Sequence, residues 1–445
     1  MNLLISNGRV VDPSQNLDRA ADVLIVDGLV AKIGPGLKAP KGVATIDAAG
    51  CIVIPGLVDL HTHLREPGQE HKETIRTGTE AAVAGGYTSV CAMANTSPPN
   101  DERAVTEMIV AEARRNGVCR VYPIGAVSKG LAGLELSEMA DLRGAGCVAF
   151  SDDGKPVTNS KLMRAALEYA RMLGAPVIAH EEDAFLSEGA VMHEGYYSTL
   201  LGMKGAPAAG EEILTSRDIH LVELTGGRLH VAHLSTVGAI EAVRRAKSRG
   251  LAVTCEATPH HIALTDEAVQ SFSTDLKMNP PLRSEAHRRA LLEAIKDGTI
   301  DVIATDHAPH HPDEKRVEFD LAPFGVIGLE TAFAVCHEVL VKSKTIKLSQ
   351  LVDLMSTRPA RTFNLPGGTL KPGSAGDVAV IDLDGTTEFA TFRSRSHNSP
   401  WRGRTLGTRV VATVVGGVVR FDGRPSPAVE RKSRPQAVKA RGARR

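Results

Sequence analysis

The middle of the chain alternates short apolar runs with segments of helical period, and this alternation restricts the fold more than any other feature. The eight runs lie at 52–60, 87–94, 120–127, 146–151, 176–180, 229–234, 251–257 and 300–305. Between them, segments such as KLMRAALEYARMLG carry apolar residues at helical spacing. Continuous apolar strands followed by helices are typical of a parallel sheet that is buried on both faces. An open doubly wound sheet could also hold eight strands, but we favour a (β/α)8 TIM-type barrel.

The two ends of the chain differ from this middle. Residues 1–55 and 366–424 contain short apolar runs separated by Gly, Asp and Pro, which is typical of antiparallel strands joined by turns. A few strands alone are marginally stable, so we expect both ends to form one composite β-sandwich domain beside a barrel at 56–365. Residues 426–445 carry seven Lys/Arg and one Glu without an aromatic residue, and they predict a basic disordered tail.

Composition excludes several classes of protein. The 52 Lys+Arg balance the 52 Asp+Glu, which argues against a nucleic-acid binder. No apolar stretch approaches the ~20 residues of a membrane helix, and MNLLISNGRVVDPS has no basic leader, so we expect a cytoplasmic protein. The six Cys form no CxxC pair and predict buried thiols instead of a disulfide framework or a thiolate zinc site.

Polar side chains cluster at the ends of the predicted strands, where a barrel carries its catalytic groups. The first run ends in HTH, and residues at i and i+2 of a strand point to one face, so His61 and His63 could reach one ion. Other strand ends carry further candidates: Asp152, Asp153, His180, His230, His233, Asp306, His307, His310 and His311. Each of these alone could be a cap or a buried structural residue.

Four His and two Asp from among these candidates, at one end of a barrel, would form a set of metal ligands that contains no thiolate. Such a set is typical of catalytic zinc sites. Six ligands exceed the needs of one tetrahedral ion, so the sequence predicts two Zn²⁺ per subunit with a shared hydroxide. Cobalt or manganese in place of zinc, and partial filling of the second site, stay open at this point.

Six sequence blocks in order resemble the amidohydrolase superfamily, and specifically the class I bacterial dihydroorotases. They are HTHLREPGQEHKE (61–73), NTSPPND (95–101), FSDDGKPV (150–157), KMNPPLR (277–283), ATDHAPH (304–310) and APFGVIGLET (322–331). The resemblance extends from residue 1 to about residue 424.

The resemblance implies a role for each matching position. The implied metal ligands are His61, His63 and Asp306 for the first zinc, Asp153 between the two ions, and His180 and His233 for the second. The implied substrate contacts are Arg65, Asn95 and His310 at the carboxylate and Asn279, Phe324 and Gly325 at the pyrimidine ring, with His63 as a further contact. A planar guanidinium can hold a carboxylate through two hydrogen bonds, which suits Arg65 to this role.

The implied activity is the reversible cyclisation of N-carbamoyl-L-aspartate to (S)-dihydroorotate and water, the third step of de novo pyrimidine biosynthesis. A hydroxide held by the metal pair would be the nucleophile, and Asp306 would be the general acid and base. By the same resemblance we expect a homodimer, no nucleic-acid partner and no membrane partner. An association with aspartate transcarbamoylase stays open, as does movement of the charged loop at 311–325 over the substrate.

Two alternatives remain at this point. Dihydropyrimidinase, hydantoinase and allantoinase resemble the same fold, but they usually bridge their metals with a carboxylated Lys in strand four. Here that strand reads GCVAFSDDG, and Lys155 lies in the following loop. The second alternative is a non-catalytic subunit of an aspartate transcarbamoylase complex, which typically lacks some of the six ligands that are present here.

Overall fold

Eight parallel strands form the centre of the molecule, whose computed structural model describes residues 2–424. The strands are Leu57–Thr62, Tyr87–Ala92, Arg120–Pro123, Phe150–Ser151, Val177–Ala179, Leu229–Val231, Val253–Ala257 and Val302–Ile303. Neighbours in chain order pair in parallel. Isolated parallel bridges join Gly125 to Phe150 and Thr62 to His307, so the last strand meets the first. The predicted (β/α)8 barrel is therefore confirmed, while the predicted tail lies outside the described residues.

Helices surround the strands. The α-helices are Ile75–Ala84, Arg103–Asn116, Met139–Ala145, Ser160–Met172, Tyr196–Leu201, Ala208–Thr225, Val237–Ser248, Pro259–Ala263, Glu285–Asp297, Pro312–Lys315, Ala332–Cys336, Leu348–Val352 and Arg358–Thr362. Wider helical turns follow at His337–Lys342 and Asp353–Thr357. Short 3-10 turns lie at Pro13–Gln15, Lys129–Leu131, Asp266–Ser271 and Thr274–Leu276.

The helix Ser160–Met172 illustrates why these segments fold as they do. Asn159 precedes the helix, and its Oδ1 accepts hydrogen bonds from the backbone N–H groups of Lys161 and Leu162. Leu162, Met163, Ala166, Leu167 and Ala170 recur at helical spacing and are buried. The helix therefore packs its apolar stripe against the barrel and leaves its polar face in water.

Side chains fill the barrel interior. One apolar cluster takes residues from seven of the eight strand regions, which can meet only inside the barrel: Val58, Leu60, Cys91, Met93, Ile124, Ala149, Ile178, Ala232, Val302 and Ala304. Ala360, Phe363 and Leu365, in and just after the helix Arg358–Thr362, belong to the same cluster. The packed interior gives the strand ends a rigid base.

Strands from both chain ends form a second, β-rich unit, as predicted. Its one hydrogen-bonded sheet contains Leu3–Asp12, Leu17–Val26, Leu29–Gly34, Ala44–Asp47, Ile52–Pro55, Val378–Asp382, Arg409–Val415 and Val418–Asp422. Two-residue strands lie outside this sheet and the barrel at Met192–His193, Gly205–Ala206, Thr387–Glu388 and Thr405–Leu406. The domain limits at 55, 366 and 424 stay a prediction.

Two expectations about the first strands were wrong. Leu3–Asp12 pairs in parallel, not antiparallel, with Ala44–Asp47 and Ile52–Pro55. The run 52–60 is also not one strand, since Ile52–Pro55 joins the terminal sheet and Leu57–Thr62 joins the barrel. Gly56 separates them, and a Cβ at this position would meet Thr88 at 2.2 Å. The close approach of Gly56 to the neighbouring strand Tyr87–Ala92 therefore requires glycine, which the apolar pattern does not reveal.

Candidate active site

The predicted ligands meet at one end of the barrel. One oxygen of Asp153, Oδ1, lies 3.5 Å from His61 Nε2 and 3.6 Å from both His180 Nδ1 and His233 Nε2. Its other oxygen, Oδ2, lies 3.5 Å from His63 Nε2. Asp153 is thus the common neighbour of all four imidazoles, as expected for a carboxylate between two ions.

Asp306 completes the group from the end of the eighth strand. Its Oδ1 lies 3.0 Å from His63 Nε2 and 3.4 Å from His61 Nε2. Burial raises the pKa of Asp306, but the positive charges of His61 and His63 outweigh it and lower this pKa below its usual range. Asp306 has φ near 48° and His233 has φ near 30°, so both occupy a strained backbone region that is common at functional sites.

The arrangement of these His and Asp side chains fits a metal ion. Within the described residues, two groups of potential ligand atoms lie within 4.8 Å of one another: His61, Asp153 and His233, and His61, His63 and Asp306. His61 Nε2 and Asp153 Oδ1 are buried without a hydrogen-bond partner in the described chain. Buried polar atoms normally have hydrogen-bond partners, so these two atoms and the two groups that contain them are suited to bind a divalent cation.

Neighbouring side chains fix which ring nitrogen faces the centre. His61 Nδ1 lies 2.6 Å from Glu256 Oε1, His63 Nδ1 lies 2.8 Å from Asn95 Oδ1, and His180 Nε2 lies 3.0 Å from Glu182 Oε2. A hydrogen bond from one nitrogen leaves the lone pair of the other for a metal. Neither Glu256 nor Glu182 is among the residues predicted from the sequence, although a Glu inside the apolar run VTCEA is an unusual signal.

Four other polar candidates have structural roles. Asp152 accepts hydrogen bonds from the backbone N–H groups of Val127 and Ser128, at 2.8 and 3.0 Å. His230 contacts Thr254 and Glu256, so His233 is the histidine of the sixth strand that faces the ligand group. His307 Nε2 lies 3.3 Å from the buried Glu73. His311 caps the helix Pro312–Lys315 by accepting a hydrogen bond from Asp313 N–H.

A cavity of about 220 Å³ opens beside the ligand group. Its lining contains eleven of the twelve predicted site residues: His63, Arg65, Asn95, Asp153, His180, His233, Asn279, Asp306, His310, Phe324 and Gly325. His61, the twelfth, is fully buried. The cavity is smaller than the ~300–1,000 Å³ of pockets for drug-sized ligands, so it suits a single-ring molecule.

Arg65 and His310 lie next to each other in the cavity wall. Arg65 Nε donates to the carbonyl of Pro309 at 3.1 Å, and Nη2 lies 3.4 Å from His310 Nε2. Burial lowers the pKa of Arg65 to about 10, so the guanidinium is charged at neutral pH. Burial and the charge of Arg65 lower the pKa of His310 to about 3, so its imidazole is neutral there. The wall therefore offers one buried positive charge to an anionic substrate.

Asn95, Asn279 and Gly325 also contact their neighbours. Asn95 links His63 to Asp153, because its Nδ2 donates to the Asp153 carbonyl at 3.3 Å. Asn279 Nδ2 donates to Glu182 Oε2 at 2.9 Å. Gly325 has φ of 130°, and a Cβ there would approach Ala308 Cβ at 2.7 Å, so this position requires glycine.

Comparisons with known proteins agree with this architecture. A family described as dihydro-orotase-like matches residues 50–239. A protein named dihydroorotase from Anaeromyxobacter dehalogenans is 54% identical over 419 residues, covering 93% of this chain and 96% of that protein. The chain belongs to the dihydroorotase family. A further family member, from Citrifermentans bemidjiense, is 52% identical and covers 95% of this chain and 100% of its own length.

Solved structures extend the dihydroorotase comparison to other cyclic amidohydrolases. L-hydantoinase (dihydropyrimidinase) from Arthrobacter aurescens has a TM-score of 0.85 at 26% identity, covering 95% of this chain and 96% of that chain. Dihydropyrimidinase from Brevibacillus agri has a TM-score of 0.82 at 25% identity, covering 94% and 95%. The fold is therefore shared with enzymes that are named for other ring substrates. In residues 2–424, no helix is both long and apolar enough to span a membrane.

Proposed function

We propose that this protein is a metal-dependent dihydroorotase, which interconverts N-carbamoyl-L-aspartate and (S)-dihydroorotate in pyrimidine biosynthesis. The single observation that carries the proposal is the juxtaposition of the buried Arg65 with the His and Asp cluster in one small cavity. The six candidate ligands can hold two divalent ions, which we propose to be Zn²⁺. His61, His63 and Asp306 would hold one ion, His180 and His233 the other, and Asp153 both.

The substrate's carboxylate distinguishes this function from that of the related amidases. We assign this carboxylate to Arg65, with Asn95 and His310 beside it, and the ring to Asn279 and the Phe324–Gly325 segment. Hydantoin and dihydrouracil rings have no carboxylate for the guanidinium to bind. Lys155, the lysine nearest to strand four, is exposed, so it does not supply the bridging group of the amidases. These features favour dihydroorotase over a hydantoinase or dihydropyrimidinase.

Ring opening needs three contributions from the chain. Arg65 holds the carboxylate and so fixes the ring amide next to the ligand group. Asp306 Oδ1 faces His61 and His63, and we assign to Oδ2 the proton that water gives up as it adds to the ring carbonyl. As the ring C–N bond breaks, Asp306 passes this proton to the leaving nitrogen. Bound divalent ions would lower the pKa of water toward ~7 and polarise the carbonyl.

Ring closure follows the same steps in reverse. Asp306 then removes the proton from the carbamoyl nitrogen, the C–N bond forms, and water leaves. The same residues therefore serve ring opening and ring closure. We further propose that the protein acts as a cytoplasmic homodimer; association with aspartate transcarbamoylase is a separate question for copurification.

The direct test is a comparison of substrates. The zinc-loaded protein is assayed by absorbance with dihydroorotate, hydantoin and dihydrouracil under the same conditions. We expect kcat/KM for dihydroorotate to exceed the other two by about 100-fold or more, since only this ring has a carboxylate to bind. Faster hydrolysis of hydantoin or dihydrouracil would overturn the assignment.

A further inference from the structure

A segment far along the chain contacts residues that line the candidate active site. We call residues 393–401 the arm; it connects the strand Thr387–Glu388 to the strand Thr405–Leu406. Asn398 lies on the arm with only 4% of its surface exposed. It is not one of the predicted site residues, and it does not line the cavity.

The Asn398 side chain uses both ends of its amide. Its Oδ1 accepts a hydrogen bond from the His310 backbone N–H at 3.1 Å. Its Nδ2 donates to the carbonyls of Ala308 and Gly325, each at 3.0 Å. In addition, the Asn398 carbonyl accepts a hydrogen bond from Ile327 N–H at 2.8 Å. One residue therefore links the segment after the eighth strand to the segment that contains Gly325.

The arm is itself held in place at its other end. The fully buried carboxylate of Glu73 accepts hydrogen bonds from the Ser394 hydroxyl and, at 3.0 Å, from the Arg395 backbone N–H. Glu73 also lies 3.3 Å from His307 Nε2. Ser394 and Arg395 therefore hold the arm to a buried carboxylate, and Asn398 of the same arm holds His310 and Gly325 in place.

We propose that Asn398 is a positioning residue, which sets the separation of His310 and Gly325 and thereby the width of the cavity around the substrate. The inference rests on the proposed function, in which these two residues contact dihydroorotate. Only an amide supplies one acceptor and two donors in this arrangement. A carboxylate would place its oxygens against two carbonyls, and alanine would leave three buried backbone groups without partners.

The test is the Asn398→Ala variant of the full chain, loaded with zinc and assayed with dihydroorotate. We expect KM to rise by about 10- to 100-fold with kcat within about threefold and zinc content unchanged, because a wider cavity weakens contacts that the ground state and the transition state share. Arg395→Ala is the matched control, because its exposed side chain lies on the same arm and its backbone contact is kept. We expect this control to retain the KM of the unmodified protein.

The outcomes separate the inference from the proposed function. An unchanged KM in folded Asn398→Ala, or a loss that follows zinc content instead of KM, overturns the positioning role alone. Absence of dihydroorotate turnover by the unmodified protein overturns both. If Asn398→Ala does not fold, Ser394→Ala replaces it, because this variant loses the hydroxyl contacts with Glu73 and with the Ser396 backbone N–H but keeps Asn398. A KM increase of about threefold is then expected, and an unchanged KM overturns the inference.

Discussion

Glu256 Oε1 lies 2.6 Å from His61 Nδ1, and both side chains are buried in the barrel. The second carboxylate oxygen of Glu256 lies 3.1 Å from His230 Nε2. A carboxylate in this position keeps the proton of His61 on Nδ1 and makes Nε2 a stronger donor to a cation. Glu256 therefore orients His61, a candidate metal ligand.

Replacing Glu256 with Gln should weaken metal binding. We expect the affinity for zinc to fall by about 10- to 100-fold, because the imidazole of His61 loses its charged partner. Competition with a chromophoric chelator measures this affinity without an activity assay. Glu168→Gln is the control, because Glu168 pairs with Arg164 on an exposed helical surface. Equal zinc affinities in Glu256→Gln and the unmodified protein would show that His61 does not depend on Glu256.

Asp306→Asn should separate metal binding from proton transfer. The amide keeps the shape of the side chain but cannot accept the proton, so kcat should fall by about 10²- to 10⁴-fold. We expect most of the zinc to remain bound, because five other candidate ligands are intact. Turnover and zinc content are measured on the same preparation. Near-normal turnover with zinc bound would contradict the proton-transfer role of Asp306.

Arg65→Lys should affect the substrate more than the metal. A lysine keeps the charge but loses the planar pair of donors, and it cannot also reproduce the Nε contact with the Pro309 carbonyl. We expect KM for dihydroorotate to rise about tenfold or more with zinc content unchanged. Steady-state kinetics test this, with the exposed Arg164→Lys as the control. If both variants gave the same KM, Arg65 would not be the carboxylate-binding residue.

Glu330 gives a prediction about stability and pH. Burial raises its pKa from 4.5 to about 7, although the backbone N–H groups of Arg393 and Ser394 donate to it. The folded protein thus binds this proton more tightly than the unfolded chain does. The free energy of unfolding should therefore fall by about 3 kcal/mol as pH rises between these two values.

The matched measurement is urea unfolding of the unmodified protein and of Glu330→Gln at pH values of about 5 and about 8. The variant cannot titrate at this position, so its free energy of unfolding should fall less. Metal release on acidification affects both proteins, and the difference between them isolates Glu330. Identical pH dependence in the two proteins would refute the shifted pKa.

The sequence predicts the strand ends of this site well, for a physical reason. The carboxyl ends of parallel barrel strands lie at one end of the barrel, so HTH, SDD and ATDH come together without knowledge of any side-chain contact. The choice of His233 over His230 follows from the same rule. The choice of Asp153 over Asp152 rested on family resemblance. In the structure, Asp152 accepts hydrogen bonds from backbone N–H groups.

The contacts that hold the site were beyond sequence reasoning. Asn398 is 73 residues from Gly325, and nothing in SRSHNSPW indicates which backbone groups it will bind. The split of the run 52–60 depends on the close approach of Gly56 to Thr88. The parallel pairing of Leu3–Asp12 depends on contacts with Ala44–Asp47 and Ile52–Pro55. Local pattern determines the elements, whereas these contacts depend on the assembled fold.

Dihydroorotate turnover by this protein should require metal bound by the His and Asp cluster. The measurement that tests it most directly is dihydroorotate hydrolysis during zinc titration of chelator-treated protein, with bound zinc determined in parallel. We expect almost no turnover without metal and full recovery at about two zinc ions per chain. Full turnover by protein that is free of metal, or zinc binding without recovery of turnover, would contradict the account.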